Sequence, residues 1–150
     1  MKRYWKVFSV VSLVLMLSMV VVGAASADVI RGKGWLHAEG SGVATLRMSG
    51  EVDIAGHGVG AVYIYGAEKI RADGDGRRTD RADGGVVFHG FSGKIHVTGE
   101  RMVVKMIGGK IDFTAHGKGT AILRGRGHYE TRGFSGDWAP EGTTLEVVEE

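Results

Sequence analysis

Residues 110–127 read KIDFTAHGKGTAILRGRG. Ile111, Phe113, Ala115, Gly117, Gly119, Ala121, Leu123, Gly125 and Gly127 take the odd positions. Asp112, Thr114, His116, Lys118, Thr120, Arg124 and Arg126 take the even ones, with Ile122 the exception. Successive side chains of a strand point to opposite faces. The stretch therefore has one apolar or empty face and one polar face, as in a half-buried β-strand. The phase passes through each x-Gly-x-Gly unit without a slip, so these units read as bends within long strands. Inward glycine lets a strand coil sharply and lets neighbouring backbones approach.

The same unit recurs at Arg31–Gly34, Glu39–Gly42, His57–Gly60, His116–Gly119 and Arg124–Gly127. Three copies continue alike, as EGSGVATL from 39, HGVGAVYI from 57 and HGKGTAIL from 116. The repetition has no single period of the kind that declares a solenoid. Residues 34–48 repeat the alternation, placing Leu36, Ala38, Gly40, Gly42, Ala44, Leu46 and Met48 inward. Parity also predicts turns. Ile95 and Val97 point inward before Gly99-Glu100, whereas Met102, Val104 and Met106 do so after it. Across Gly108-Gly109 the parity returns, to Ile111 and Phe113. A two-residue hairpin produces such a flip, so a meander of strands 93–98, 101–107 and 110–117 is expected. Val52 and Ile54 keep the parity of Met48, which predicts a three-residue loop or bulge at Ser49-Gly50-Glu51.

ADGDGRRTDRADGG, residues 72–85, is charged and without apolar period; it reads as a long exposed connection. GVVFHG beyond it opens another strand. TTLEVVEE from 143 reads as the last strand, after a turn around Pro140-Glu141-Gly142. The expected fold is all-β: a single antiparallel β-barrel or β-sandwich of about eight to eleven strands, with a β-solenoid as runner-up.

The N-terminus follows another logic. Lys2, Arg3 and Lys6 precede an apolar run, Val7–Val22, and Ala25-Ser26-Ala27 has the form of a cleavage site. This predicts a signal peptide over 1–27, cleaved after Ala27, and one domain over 28–150 exported to the periplasm or cell surface. An uncleaved anchor is the alternative, although the run is short for a span of about 20 residues. With residues 1–27 removed, the chain carries 16 basic and 17 acidic residues. The overall positive charge thus belongs to the leader, and a general case for nucleic-acid binding goes with it. The chain has no cysteine, so neither disulfides nor a lipid-accepting thiol are available.

Several stretches invite a chemical reading. Gly-Phe-Ser-Gly occurs at 90–93 and again at 133–136. A nucleophile elbow needs G-x-S-x-G between a strand and a helix, and neither Ser92 nor Ser135 has that context. Both copies read as strand punctuation, with Phe91 and Phe134 packing at equivalent places. His37, His57, His96 and His116 fall on the polar face. They read as solvated, and His57 and His116, at matching repeat positions, are the first candidates were a zinc or copper site present. Asp73, Asp75, Asp80 and Asp83 lack the spacing and terminal Glu of an EF-hand. No phosphate loop occurs, and Arg77, Arg78 and Arg81 are balanced by neighbouring aspartates. Tyr63 and Tyr65 share the parity of His57 and Val59, while Trp35 lies opposite Leu36 and Trp138 follows the second Gly-Phe-Ser-Gly. These aromatics read as packing before binding.

The runs GKGWLHAEGSGVATLRMSGEVDIAGHGVG, DGGVVFHGFSGKIHVTG and AHGKGTAILRGRGHYETRGFSGDWAPEGTTLEV together resemble a loose group of small exported bacterial glycine-rich all-β proteins. The resemblance spans nearly all of 28–150. It rests on structural glycines and implies fold and export, with no activity and no catalytic residue carried over. The resulting expectation is a non-enzymatic cell-envelope β-domain that binds a partner or small ligand. Self-assembly into a structural polymer and a metal-assisted hydrolase using surface histidines are the alternatives. No catalytic, cofactor-binding or metal residue is assigned.

Overall fold

A computed structural model describes residues 29–149. The expected signal peptide and its cleavage after Ala27 lie outside the described residues. The chain forms β1 (Ile30–Tyr65), β2 (Lys69–Asp80), β3 (Val86–Arg132), β4 (Phe134–Asp137) and β5 (Thr143–Val148). No helix occurs among the described residues, and the strands lie in one open sheet. The all-β expectation holds at that level, but the eight to eleven strands do not. Segments expected to be separate are joined into two very long strands, β1 of 36 residues and β3 of 47.

These long strands pair twice. Ala38 pairs with Phe113 along one edge of β1 and with Tyr129 along the other; Ile54 pairs with Ile95 and Phe113. Phe113 therefore lies between Ala38 and Ile54, two β1 residues 16 positions apart. β1 and β3 wind about each other as an antiparallel pair, each pass bonded to the previous one. β5 sits between passes, parallel to Ile30–Lys33 of β1 and antiparallel to Gly119–Leu123 of β3. β4 folds back on His128–Thr131. β2 pairs with β3 alone and forms an edge of the sheet.

Glycine makes the winding possible. Gly34, Gly42, Gly50, Gly58, Gly66 and Gly74 all have positive φ and fall at every eighth residue; Gly117, Gly125 and Gly133 keep the same interval. Two intervals equal the 16-residue offset between passes. At the bends the backbones nearly touch. Gly42 lies against Gly125 and Gly50 against Gly117, where a Cβ on either partner would overlap backbone of the other strand. Only glycine tolerates both the left-handed backbone and that approach.

The inward positions close on one hydrophobic cluster. Leu36, Ala38, Ala44, Leu46, Met48, Val52 and Ile54 of β1 meet Ile95, Val97, Met102, Val104, Met106, Ile111, Phe113, Ala115, Ala121 and Leu123 of β3. Leu145 and Val147 of β5 and Trp138 complete it. The apolar side chains placed inward by alternation are buried as expected, whereas the glycines placed with them, from Gly40 to Gly127, are only half-buried.

The expected turns are absent, for a shared reason. β3 runs straight through 99–100 and 108–109. Gly50 pairs with Gly99 and Met48 with Met102, so Ser49 alone faces two β3 residues, Glu100 and Arg101; Gly42 with Gly108 and Gly40 with Ile111 leave Ser41 facing Gly109 and Lys110 in the same way. Each site is a one-residue bulge. A bulge flips face parity just as a two-residue hairpin does, so alternation alone could not separate them. Ser49-Gly50-Glu51 forms no loop; β1 continues through it in register with His116–Lys118 on one edge and faces the bulge on the other, and because the extra residue belongs to β3 the parity of β1 never changes.

Two further readings change. Residues 72–80 belong to β2, and only 81–85 form the connection, with the Gly84 amide donating to the Arg81 carbonyl at 3.1 Å. Both faces of this edge strand are exposed from Arg71 to Asp80, so burial imposes no apolar period on it. In β1, His57 pairs with Ser92 and Val59 with Phe91, another bulge. It turns Val59 fully inward, away from the face of His57, while Tyr63 and Tyr65 remain half-buried on the outer side.

Candidate binding face

The outer face is assembled by cross-strand register. One row runs Arg71, His96, Asp53, Thr114, His37 and Glu130 across successive strand passes. The next contains Asp73, Lys94 and Ala55, then Asp112, Glu39, His128 and Asp137. Directly opposed residues on one sheet face have Cβ atoms about 4.5–5.5 Å apart, so side chains within a row meet.

His96 and His128 are held by acids from neighbouring passes, and His37 lies close to a third. His96 Nδ1 donates to Asp53 Oδ1 at 2.6 Å, and His128 Nδ1 donates to Asp137 Oδ1 at 3.1 Å. His37 Nδ1 lies 3.1 Å from Thr114 Oγ1 and 3.8 Å from Asp112 Oδ1. These pairs are partly to largely solvent-exposed, so each contributes little stability, about 0–1 kcal/mol. Their consequence is positional, because they hold the rings in place along the face.

Ala55 interrupts its row. Its methyl leaves a notch between Lys94 and Asp112, with Asp53 two residues along the strand. The notch opens into a groove of about 620 Å³ that also takes in Arg71, Asp73 and His96. A second groove, of about 650 Å³, lies over Gly40, Ser41 and Gly127 and shares Asp112 with the first. His57, Lys110 and Arg126 border it.

The sequence candidates fall apart spatially. His57 pairs in register with Ser92, whereas His116 pairs with Trp35 and Glu51, six β1 residues from His57. The two do not share a site. Among the described residues no three His, Asp or Glu side chains gather as metal ligands. Ser92 Oγ accepts a hydrogen bond at 2.9 Å from the Gly58 amide, which ties down the β1 bulge. The two Gly-Phe-Ser-Gly copies are not equivalent: Phe91 is 2% exposed and Phe134 is 55% exposed. Phe91 enters the core from β3, while Phe134 begins the short outer strand β4. Asp73 and Asp75 extend along β2, separated from Asp83 in the connection.

Around β4 the aromatics pack. Trp138 is buried and its Nε1 donates to the His128 carbonyl at 3.1 Å. Tyr129 lies beneath Gly136, and burial, with the Asp137 charge as a second cause, raises its phenol pKa above the ordinary 10.0. Unfolded tyrosine ionises at the ordinary value while the folded one stays neutral to higher pH. Stability from this source is complete below pH 10.0 and declines as pH rises through that value. Tyr129→Phe is expected to flatten the alkaline limb of a denaturation-midpoint-versus-pH curve. An unchanged limb would assign that loss to other groups.

Sequence reading overlooked Asp53, Ala55, Lys94 and Asp112. Their outward parity was visible, but their convergence depends on register between passes distant in sequence. No known protein family, curated protein or solved structure matches the chain.

Proposed function

We propose that the protein is an exported, non-enzymatic cell-envelope β-domain that binds a small polar ligand on its outer face. The wound strands act as a small barrel-like scaffold, a reading supported by the double pairing of β1 and by the single core. The observation that carries the function is the notch at Ala55. A lone small residue interrupts a row of long polar side chains, and the surrounding groove is lined by three acids, Asp53, Asp73 and Asp112, and three bases, Arg71, Lys94 and His96. Donors and acceptors alternate with little net charge. Such a lining suits a neutral polyhydroxylated or zwitterionic molecule better than a polyanion, which a one-sign field would favour.

The test is native mass spectrometry of protein recovered from the expressing cell without refolding. A reproducible added mass is expected on the wild type and absent from Ala55→Trp, whose ring fills the notch. An added mass retained by Ala55→Trp would place the ligand elsewhere. Bare protein in both samples would overturn the ligand reading. A matching far-ultraviolet circular dichroism spectrum shows that the variant has folded.

A further inference from the structure

We propose that β2 pairs edge to edge with β2 of a second copy, antiparallel, about a two-fold axis at Ala72. The unsatisfied edge is the starting point. β2 is 12 residues long, is bonded to β3 on one side only, and contains no proline. Its other side presents unpaired backbone amides and carbonyls, a template for another strand. Edges are often protected by charge, so the order of charges decides between protection and pairing.

Residues 69–75 read KIRADGD. Lys69, Arg71, Asp73 and Asp75 lie on one face of β2, and Ile70, Ala72 and Gly74 on the other. Antiparallel pairing centred on Ala72 opposes Lys69 to Asp75 and Arg71 to Asp73. The two-fold axis generates each pair again, giving four opposite-charge pairs and no like-charge pair. Other centres are worse. A centre at Asp73 opposes Lys69 to Arg77 and Asp73 to itself; one at Gly74 opposes Arg71 to Arg77 and Asp73 to Asp75. The charge order is thus palindromic about one residue.

Of the remaining charges, Arg77 falls outside the four pairs, opposite Ala67 in this register, and two other arginines are occupied within the chain. Arg78 is paired with Asp80 at 3.1 Å and lies over the Phe88 ring, and Arg81 is paired with Asp83 at 3.4 Å. Lys69, Arg71, Asp73 and Asp75 form no ion pair with any described residue. The opposite face fits too. Ile70 is half-buried against the core cluster, and the register of β2 sets Ile70 beside Val97 and Ala72 beside Ile95. A second β2 would continue this apolar face with its own Ala72 and Ile70.

A two-fold contact uses the same patch on both copies and closes on itself, so this edge yields a pair and no filament. Arg71 and Asp73 also line the groove at Ala55, so pairing brings the second copy's edge beside it. The inference stands independently of any ligand there, because its readout is association alone.

Sedimentation equilibrium of the protein recovered without refolding tests this across a concentration series at low and high salt. A monomer–dimer equilibrium is expected, weakened by salt because the four pairs are exposed. Lys69→Glu with Arg71→Glu makes an all-acidic edge; Asp73→Lys with Asp75→Lys makes an all-basic one. Each double variant alone is expected to raise the dissociation constant about tenfold or more. Mixed together, they should form a heterodimer, and each must be folded to do so. The fourfold inversion restores the palindrome and should restore dimerisation. A wild type that stays monomeric throughout overturns the proposal. So do double variants that dimerise as tightly as the wild type, or a mixture that forms no heterodimer although both variants give folded spectra.

Discussion

Gly50→Ala is expected to destabilise the fold by about 3–5 kcal/mol, from two costs that add. Gly50 has φ +133°, a backbone region that L side chains rarely adopt. A methyl there would also overlap the His116 carbonyl oxygen and press on Gly117 Cα. Both obstacles are backbone of the neighbouring pass, and no rotamer can move them aside. Against a total stability of about 5–15 kcal/mol for a domain, such a loss is severe. Gly109→Ala is the control. It lies in the same long-strand system with open space around it and no positive φ. Its unfolding free energy should change by no more than about 0.5 kcal/mol. Equal effects at the two positions, measured by urea unfolding, would show that the winding does not depend on close backbone approach.

Phe113→Ala is expected to cost about 3–5 kcal/mol, the range for deleting a buried aromatic ring. Phe113 is 1% exposed and lies in register between Ala38 and Ile54. Both flanking residues belong to β1, on successive passes. The ring therefore fills the core where the winding brings β1 back on itself, and its loss leaves a void that the rigid ladders on either side cannot close. Phe134→Ala, at an exposed ring on β4, should stay within about 0.5 kcal/mol. A small effect at Phe113 would mean that the two passes relax together readily, and that the double pairing is softer than its registers imply.

Ile111, Phe113, Ala115, Ala121 and Leu123 were placed in the core by alternation, because the side-chain period of a strand is local. The same local argument failed at Gly99-Glu100 and Gly108-Gly109. One inserted residue and one tight turn shift parity identically, and only the partner strand distinguishes them. The eight-residue interval of bending glycines showed only in two pairs of units, Arg31–Gly34 with Glu39–Gly42 and His116–Gly119 with Arg124–Gly127, for a related reason. Glycine is abundant in this chain, and the sequence does not mark which glycines take positive φ. On the candidate face, His37 and His96 were correctly set outside. Their acids, Asp112 and Asp53, come from other passes, so no spacing in the sequence could join them.

The sequence by itself determined that the described chain is nearly all strand, which apolar residues of 34–48 and 93–123 point inward, and that glycine shapes the bends. Each follows from local rules: period two, the missing Cβ, and the lack of any helical period. The tertiary structure alone decided that the strands run unbroken, that β1 meets β3 on both edges, and that Ala55 opens a notch among Lys94, Asp112 and Asp53. It also decided that Lys69–Asp75 lies on an open edge. The physical reason is register. Hydrogen bonding between passes is backbone to backbone and carries no side-chain signature, so it is settled only when the whole sheet winds onto its core.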